Sequence, residues 1–174
     1  MINKTIFLDR DGVINQDVNY LHKISDFKFI DGIFDTCIYF QKLGYQIIII
    51  TNQSGIARGY YNESDYAKLN QWMLSQFQKY DINILDVFHC PHGPDSDCVD
   101  RKPNPGMFLK AKTKHHIDMQ NSWAIGDKES DIQAANNADI KNTILVRSGH
   151  KIDKSKSKAK YIIDSIKKSI KIIT

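Results

Sequence analysis

The sequence has few cysteines and no long apolar run, and these two shortages exclude whole classes of protein. Only three of its 174 residues are cysteine, an odd number that argues against a disulfide framework. No apolar run approaches the roughly 20 residues that a membrane-spanning helix needs. The opening residues MINKTIFLDRDG do not show the pattern of a signal peptide. We therefore expect a cytoplasmic protein with no membrane partner.

The charge is only mildly basic, with 24 Lys and Arg against 20 Asp and Glu, a formal net charge of +4. Several lysines lie together in KIDKSKSKAK near the C-terminus, which raises the alternative of nucleic-acid binding. Charge runs are usually solvated surface. We expect no nucleic-acid partner. The sequence leaves the oligomeric state open, with a monomer as the simpler expectation.

Apolar segments typical of strands alternate with amphipathic segments typical of helices. The expected strands are KTIFLD, YQIIIIT, ILDVFHC, SWAIGD, NTILVRS and a short YIID. In the segment NESDYAKLNQWMLSQFQKY, spacings of three and four place Tyr66, Leu69, Met73 and Phe77 on one helix face, which predicts core packing. The alternation predicts an α/β fold, a doubly wound parallel sheet with helices on both faces. We expect one domain over residues 1–174, no separate cap domain, and a last helix that ends near Ile173.

Polar residues follow four of these strands, where the ligand site of a doubly wound sheet lies. The first strand ends in Asp9, Arg10 and Asp11. The second is followed by Thr51, Asn52, Gln53 and Ser54, the third leads to Arg101 and Lys102, and the fourth ends in Asp127 and Lys128, with Asp131 one turn later. We expect these acids, cations, hydroxyls and amides to converge on one crevice.

This mixture of groups suits phosphoryl transfer. Asp9 and Asp127 would share a Mg²⁺ ion, a hard cation that prefers oxygen ligands. One carboxylate of the Asp9–Asp11 pair would attack phosphorus, and the other would act as general acid and base. Thr51 would hold phosphate oxygens, while Lys102 and Lys128 would offset the charge on them.

Each of these segments alone is more typical of structure than of catalysis. An acidic pair after a strand is usually a turn or a cap, and Thr-Asn at a strand end is usually turn chemistry. Four such segments in order, each after a separate strand, favour the catalytic interpretation. A signalling module that accepts phosphate on aspartate is the alternative from another class.

The segments FLDRDGVI, IIIITNQSG, RKPNPGM and AIGDKESDI resemble, in this order, the four motifs of the haloacid-dehalogenase-like (HAD) phosphatases. The resemblance runs from about Lys4 to Ser148. It implies that Asp9 is the nucleophile, Asp11 the general acid and base, Thr51 a phosphate ligand and Lys102 a stabiliser of the intermediate. It also implies that Mg²⁺ is held by Asp9, Asp127 and the backbone carbonyl of Asp11.

Finer features resemble the HAD subgroup that contains the heptose bisphosphate phosphatases, whose close relatives act on histidinol phosphate. The segments are DVNYLHKISDFKFIDGIF, TNQSGIARGYY, CPH before RKPNPGM, and GDKESDIQAA. They imply removal of the 7-phosphate of D-glycero-D-manno-heptose 1,7-bisphosphate, in making the heptose of bacterial lipopolysaccharide or a related glycan. Histidinol phosphate or another small phosphomonoester is the alternative substrate. By resemblance, Arg101 contacts the substrate and Arg58 lies near the sugar, with Asn52, Gln53, Ser54 and Lys128 as further substrate-binding candidates.

The loop CPHGPDSDCVDRKP departs from the subgroup in one residue. The subgroup carries a zinc loop of the form C-x-H…C-x-C, which Cys90, His92 and Cys98 match, but Asp100 stands where the last cysteine would be. Structural zinc is usually held by four Cys or His ligands. Two interpretations follow: Asp100 completes a weaker structural zinc site, or the loop holds no metal.

Overall fold

Six parallel strands form the sheet in the part of the chain that the structure describes. The computed structural model describes residues 3–149 and 155–174. The strands are β1 (Thr5–Leu8), β2 (Gln46–Asn52), β3 (Ile84–Cys90), β4 (Trp123–Gly126), β5 (Asn142–Val146) and β6 (Tyr161–Ile163). Their order in the sheet is β3-β2-β1-β4-β5-β6. The chain moves outward from β1 in one direction and then returns to build the other half from β4, so the order reverses between β1 and β4.

Within the described residues, four α-helices and two short 3₁₀ helices connect and flank the strands. The α-helices are α1 (Ile33–Lys42), α2 (Glu63–Gln78), α3 (Gly106–His115) and α4 (Glu129–Asn137). The 3₁₀ helices cover Ile24–Asp26 and Ile166–Lys171. This α/β architecture confirms the predicted doubly wound parallel sheet.

Alternate strand residues pack on opposite faces of the sheet, each against its own pair of helices. On one face, Ile47 and Ile49 of β2 join a cluster with Phe40 of α1 and with Phe77 of α2. On the other, neighbouring side chains of the same strand join Phe108 of α3 and small residues of α4. Because both faces are covered, the middle of β2 is a run of four isoleucines, Ile47 to Ile50, as expected for a central parallel strand.

The α2 face also confirms its prediction, since Tyr66, Leu69, Met73 and Phe77 are all buried. The last helix differs from expectation. It is a 3₁₀ helix of six residues, in which the Ser169 hydroxyl donates to the Ile166 carbonyl 2.5 Å away. A serine that bonds to nearby backbone competes with regular α-helix hydrogen bonds.

The segments 9–32 and 91–105, which follow β1 and β3, contain no α-helix and no strand of the sheet in the described structure. Between β1 and α1, the described structure contains one 3₁₀ turn and isolated bridges, including Asn15 with Phe29. Whether the chain is one domain stays a prediction. Part of the lysine-rich segment, residues 151–154, lies outside the described residues. Across the described ranges, no helix has the length and apolar character to cross a membrane.

Candidate active site

Asp9 lies at the carboxyl end of β1, in the centre of the sheet. Its backbone N–H donates to the Ile125 carbonyl of β4, at 3.0 Å. The side chain is mostly buried, and its Oδ1 accepts a hydrogen bond of 2.9 Å from Lys102 Nζ. The first of the predicted acids therefore stands where the strand order reverses, which is the usual ligand position of such sheets.

Lys102 reaches this position from the loop after β3. Its Nζ contacts Asp9 Oδ1 at 2.9 Å and Asp131 Oδ1 at 2.7 Å, and it donates to the Ile50 carbonyl at 2.8 Å. Asn52 holds this loop through two hydrogen bonds to the backbone of Lys102. Its Oδ1 accepts from the Lys102 N–H and its Nδ2 donates to the Lys102 carbonyl, both at 3.1 Å. Burial alone would lower the pKa of Lys102, but the Asp131 and Asp9 carboxylates outweigh it and hold that pKa above its usual range. Lys102 is therefore a permanent buried cation.

Three carboxylates crowd around this cation. Oxygen atoms of Asp9, Asp127 and Asp131 lie within 4.8 Å of one another. Burial and the charges of Asp131 and Asp11 raise the pKa of Asp9 to about 6, against the pull of Lys102. Burial, Asp9 and Asp131 raise the pKa of Asp127 to about 9. One lysine does not balance so many acids at neutral pH.

The donor set fits a divalent cation. Carboxylate oxygens are the ligands that Mg²⁺ prefers, and the raised pKa values of Asp9 and Asp127 show that more positive charge is needed to keep these two ionised. Two glycines also pack closely on Asp127. A Cβ atom at Gly12 or Gly149 would overlap its carboxylate. The backbone at Gly12 and Gly149 thus leaves the Asp127 carboxylate little room to move.

Asp11 is held by a different set of groups. Arg10, which is 1% exposed, places Nη2 at 2.9 Å and 3.0 Å and Nε at 3.2 Å from the two Asp11 oxygens. Asn15 Nδ2 donates to Oδ1 at 2.9 Å, and Gln53 Nε2 donates to Oδ2 at 3.0 Å. Burial would raise the pKa of Asp11, but Arg10 and the amide donors hold it below the usual range.

Thr51 is linked to Asp11 through the same glutamine. Gln53 Nε2 also donates to Thr51 Oγ1 at 2.9 Å, and the Tyr61 hydroxyl donates to Gln53 Oε1 at 2.5 Å. Thr51 is 1% exposed and lies at the end of β2 beside β1. The structure therefore places Asp11 and Thr51 in one hydrogen-bonded set, and Asp9, Lys102 and Asp127 in a second set at the ends of the neighbouring strands. Asp9, Asp11 and Lys102 line the cavity described next, whereas Thr51 and Asp127 do not.

A cavity of about 490 Å³ opens above the cluster. Of the predicted substrate-binding residues, five line it: Asn52, Gln53, Ser54, Arg101 and Lys128. Arg101 also donates to the His92 carbonyl at 2.9 Å, and Lys128 Nζ lies 3.5 Å from Asp17. Arg58 does not line the cavity. Its guanidinium lies 5.8 Å from the ring centre of Tyr20, which does.

Three of the four predicted zinc ligands lie close together, and the fourth does not. Cys90 Sγ lies 3.6 Å from Cys98 Sγ and 3.7 Å from His92 Nδ1, and the cysteines are free thiols. Asp100 is outside this group, because its carboxylate pairs with Lys110. Of the two interpretations of this loop, the one in which Asp100 is the fourth ligand is therefore not supported.

Sequence reasoning assigned no role to Asp131, Arg10 or Tyr61, which contact the central residues. Asp131 had a usable signal, since it follows Asp127 by four residues in the first turn of α4. Its Oδ2 accepts from the N–H groups of Asp127 and Lys128, at 3.1 and 3.0 Å. Tyr61 had none, because its bond to Gln53 depends on how the loop after β2 folds back.

Comparison with known proteins places the chain in a family. The profile of the HAD-hydrolase-like family matches residues 99–169. D-glycero-alpha-D-manno-heptose-1,7-bisphosphate 7-phosphatase of Campylobacter jejuni is 55% identical over 151 residues, 87% of each chain. D-glycero-beta-D-manno-heptose-1,7-bisphosphate 7-phosphatase of Haemophilus influenzae is 41% identical over 172 residues, 95% of this chain and 94% of the other.

A solved structure of a heptose bisphosphate phosphatase has the same fold as this chain. D,D-heptose 1,7-bisphosphate phosphatase from B. bronchiseptica, complexed with magnesium and phosphate, superposes with a TM-score of 0.84 at 27% identity, covering 98% of this chain and 97% of that one. The fold, the strand-end cluster and these similarities define a hydrolase of the HAD-like class. Within that class, the chain belongs to the family of the D-glycero-D-manno-heptose-1,7-bisphosphate 7-phosphatases.

Proposed function

We propose that this protein hydrolyses the 7-phosphate ester of D-glycero-D-manno-heptose 1,7-bisphosphate, in the biosynthesis of a heptose-containing glycan such as lipopolysaccharide. The observation that supports this most directly is the buried contact of Asp9 with Lys102, next to two further carboxylates and under a polar cavity. The choice of substrate rests on the family members, which are named for the heptose bisphosphate that they hydrolyse. The cavity volume of about 490 Å³ lies within the range of about 300–1,000 Å³ that small-molecule sites occupy.

Asp9 is the proposed nucleophile. One of its carboxylate oxygens forms a bond to phosphorus while the bond from phosphorus to the sugar oxygen breaks, which leaves an aspartyl phosphate and an alkoxide. Lys102 stays within reach of Asp9 throughout, and its charge stabilises the negative charge that the transferring group spreads over its oxygens. Thr51 and the nearby N–H groups hold those oxygens.

Asp11 is the proposed general acid and base. It gives a proton to the leaving alkoxide in the first step. Because Arg10 and the amide donors hold its pKa low in the unliganded protein, Asp11 takes up this proton from solvent when the phosphate dianion binds beside it. In the second step it takes a proton from water as the water oxygen bonds to phosphorus and the bond to Asp9 breaks. The sum is one ester and one water converted to an alcohol and inorganic phosphate, with Asp9 and Asp11 regenerated.

Mg²⁺ is the proposed cofactor, held by Asp9, Asp127 and the backbone carbonyl of Asp11, with Asp131 close by. When bound, it supplies the positive charge that lets a carboxylate and a phosphate dianion approach. Arg101, Lys128, Ser54 and Asn52 line the cavity and are the proposed contacts of the sugar and of its second phosphate.

The experiment compares phosphate release by the wild-type chain and by Asp9→Asn. We expect the variant to fold and to lose turnover by at least about 1,000-fold, since a nucleophile acts in every cycle. Substrates are the α and β anomers of the heptose bisphosphate, with histidinol phosphate as comparison. Near-normal turnover by Asp9→Asn, or a higher kcat/KM for histidinol phosphate, would contradict the proposal.

For the anomer, we propose the α form. The C. jejuni relative named for the α anomer is more similar to this chain than the H. influenzae relative named for the β anomer. We expect a kcat/KM at least about tenfold higher on the α anomer, the size of one good contact made or lost. A preference for the β anomer would reverse this assignment.

We also propose that Cys90, His92 and Cys98 hold a structural zinc ion. Tetrahedral zinc with bonds of about 2.3 Å to sulfur places two sulfurs about 3.8 Å apart, close to the observed 3.6 Å. With Asp100 paired elsewhere, the fourth position is open to water, and we expect weaker binding than at a site with four protein ligands. Tag-free protein should contain zinc, Cys98→Ser should lose it, and Cys37→Ala, altered in α1, should keep it. Zinc-free wild-type protein from zinc-supplemented cells would contradict the site.

A further inference from the structure

Arg10 lies between the two central aspartates and is one of the most deeply buried charged residues in the described structure. It is 1% exposed, while its neighbour Asp11 has a side chain that is 18% exposed and lines the cavity. Nη2 also donates to the Leu21 carbonyl at 3.1 Å, so the guanidinium is tied both to Asp11 and to the loop that follows β1. Arginine suits this place because its planar fork matches a carboxylate.

Tyr61, in the loop after β2, is linked to the same Asp11 carboxylate through Gln53. Its hydroxyl donates to Gln53 Oε1 at 2.5 Å, which leaves the Gln53 amide only one orientation. In that orientation Nε2 points to Asp11 Oδ2 and Thr51 Oγ1, at 3.0 and 2.9 Å. Tyr61 is itself confined, since a Cβ atom at Gly55 would overlap its ring and the His22 ring stacks on it with centroids 5.2 Å apart.

We propose that Arg10 and Tyr61 are positioning residues, which hold the Asp11 carboxylate in the one orientation from which it exchanges protons with the leaving sugar oxygen and with water. Arg10 acts directly, and Tyr61 acts through Gln53. This inference rests on the proposed role of Asp11 as general acid and base.

The reason is geometric. A short aspartate side chain at the mouth of a cavity has two rotatable bonds, and proton transfer requires its oxygen at hydrogen-bond distance from the reacting atom. A misplacement of about 1 Å costs roughly 100-fold in such reactions. Here both Asp11 oxygens accept from Arg10 Nε and Nη2, while Asn15 Nδ2 donates to Oδ1 alone and Gln53 Nε2 to Oδ2 alone. The carboxylate therefore has little freedom to turn.

The test compares Tyr61→Phe and Arg10→Lys with wild type on two substrates. The heptose bisphosphate has a poor leaving group that needs a proton, and p-nitrophenyl phosphate has a good one that does not. With the sugar, we expect kcat to fall 10- to 100-fold and KM to stay within about threefold. With p-nitrophenyl phosphate, we expect the first, phosphate-accepting step to keep its rate and the phosphorylated enzyme to accumulate, because the water step still needs Asp11.

Tyr60→Phe is the matched control. It removes a hydroxyl from the adjacent residue of the same loop, and Tyr60 is 56% exposed and does not line the cavity. It should behave as wild type on both substrates. In Tyr61→Phe, a loss of rate in the first, phosphate-accepting step that is equal for the two substrates would show a structural role only and would overturn the proposal. Because Tyr61→Phe removes a single oxygen, it remains informative if Arg10→Lys fails to fold.

A double variant separates this inference from the proposed function. In an Asp11→Asn background, Tyr61→Phe should cause no further loss, since a residue that acts through Asp11 has nothing left to position. Normal turnover by Asp11→Asn alone would refute the proposed role of Asp11. A strong defect in Asp11→Asn together with wild-type kinetics in Tyr61→Phe would refute only the positioning role of Tyr61.

Discussion

Lys102 is the buried cation that balances the carboxylates of the site. Its side chain is 3% exposed, and it contacts two acids and one carbonyl. Removing one partner of a buried ion pair is costly because the remaining charge has neither a partner nor water. The chemistry and the stability of this region therefore depend on the same side chain.

We predict that Lys102→Met lowers the free energy of unfolding by about 3–5 kcal/mol in the absence of Mg²⁺. Adding Asp131→Asn to that variant should restore part of the loss, because it removes one of the uncompensated charges. Urea unfolding measures both effects. Lys110→Met is the control, since Lys110 is exposed and should change stability by less than about 0.5 kcal/mol. Equal stability of Lys102→Met and wild type would contradict the assignment.

The turn after β1 is shaped by its packing on the end of β4. Gly12 has a φ of +88°, in the region that favours glycine, and it lies against the Asp127 carboxylate. Gly59, in the loop after β2, also has a positive φ of +72°, but nothing lies within 4 Å of the position of a Cβ atom there. These two positions separate the cost of backbone strain from the cost of steric overlap.

We predict that Gly59→Ala costs roughly 1–2 kcal/mol, the penalty of a left-handed conformation with a side chain. Gly12→Ala should cost about 1–3 kcal/mol more, because the added methyl group must displace Asp127. It should also reduce kcat, while Gly59→Ala should leave kcat unchanged. Thermal unfolding and steady-state kinetics of the wild type, the two single variants and the double variant provide the measurement. A Gly12→Ala variant no worse than Gly59→Ala would show that Asp127 moves freely.

The molecule as a whole places an excess of acid at the centre of its sheet, and this makes its stability depend on pH. The pKa of Asp9 is raised from 3.8 to about 6, and that of Asp127 to about 9. The unfolded chain ionises these groups near pH 4, and the folded chain does so only at higher pH. In the metal-free protein, the contribution of these two groups to the free energy of unfolding is therefore complete below about pH 4. That contribution is lost as the pH rises through about 6 and 9.

We predict that Mg²⁺ reverses this loss, because it binds the ionised carboxylates of the folded chain. At 100 times its Kd, Mg²⁺ adds about 2.7 kcal/mol, or roughly 5–10 °C in Tm for a chain of 174 residues. The shift should be larger at pH 8 than at pH 5. Differential scanning calorimetry with KCl of equal ionic strength as control tests it. An equal shift at both pH values, or none, would contradict the carboxylate site.

Local pattern was sufficient to predict the strands, the α2 core face and the residues at four strand ends. The reason is that side-chain periodicity reports burial directly, and a parallel sheet brings its carboxyl strand ends to one edge. The same logic predicts that Asp9, Thr51, Lys102 and Asp127 lie at that edge.

The sequence by itself thus determined the class of fold and which polar residues follow the strand ends. Only the tertiary structure decided the contacts of Asp131 with Lys102, of Tyr61 with Gln53, and of Asp100 with Lys110 rather than with the cysteines. These contacts join residues on different loops, and their distances follow from how each loop folds back over the sheet. Periodicity within one segment carries no information about that packing.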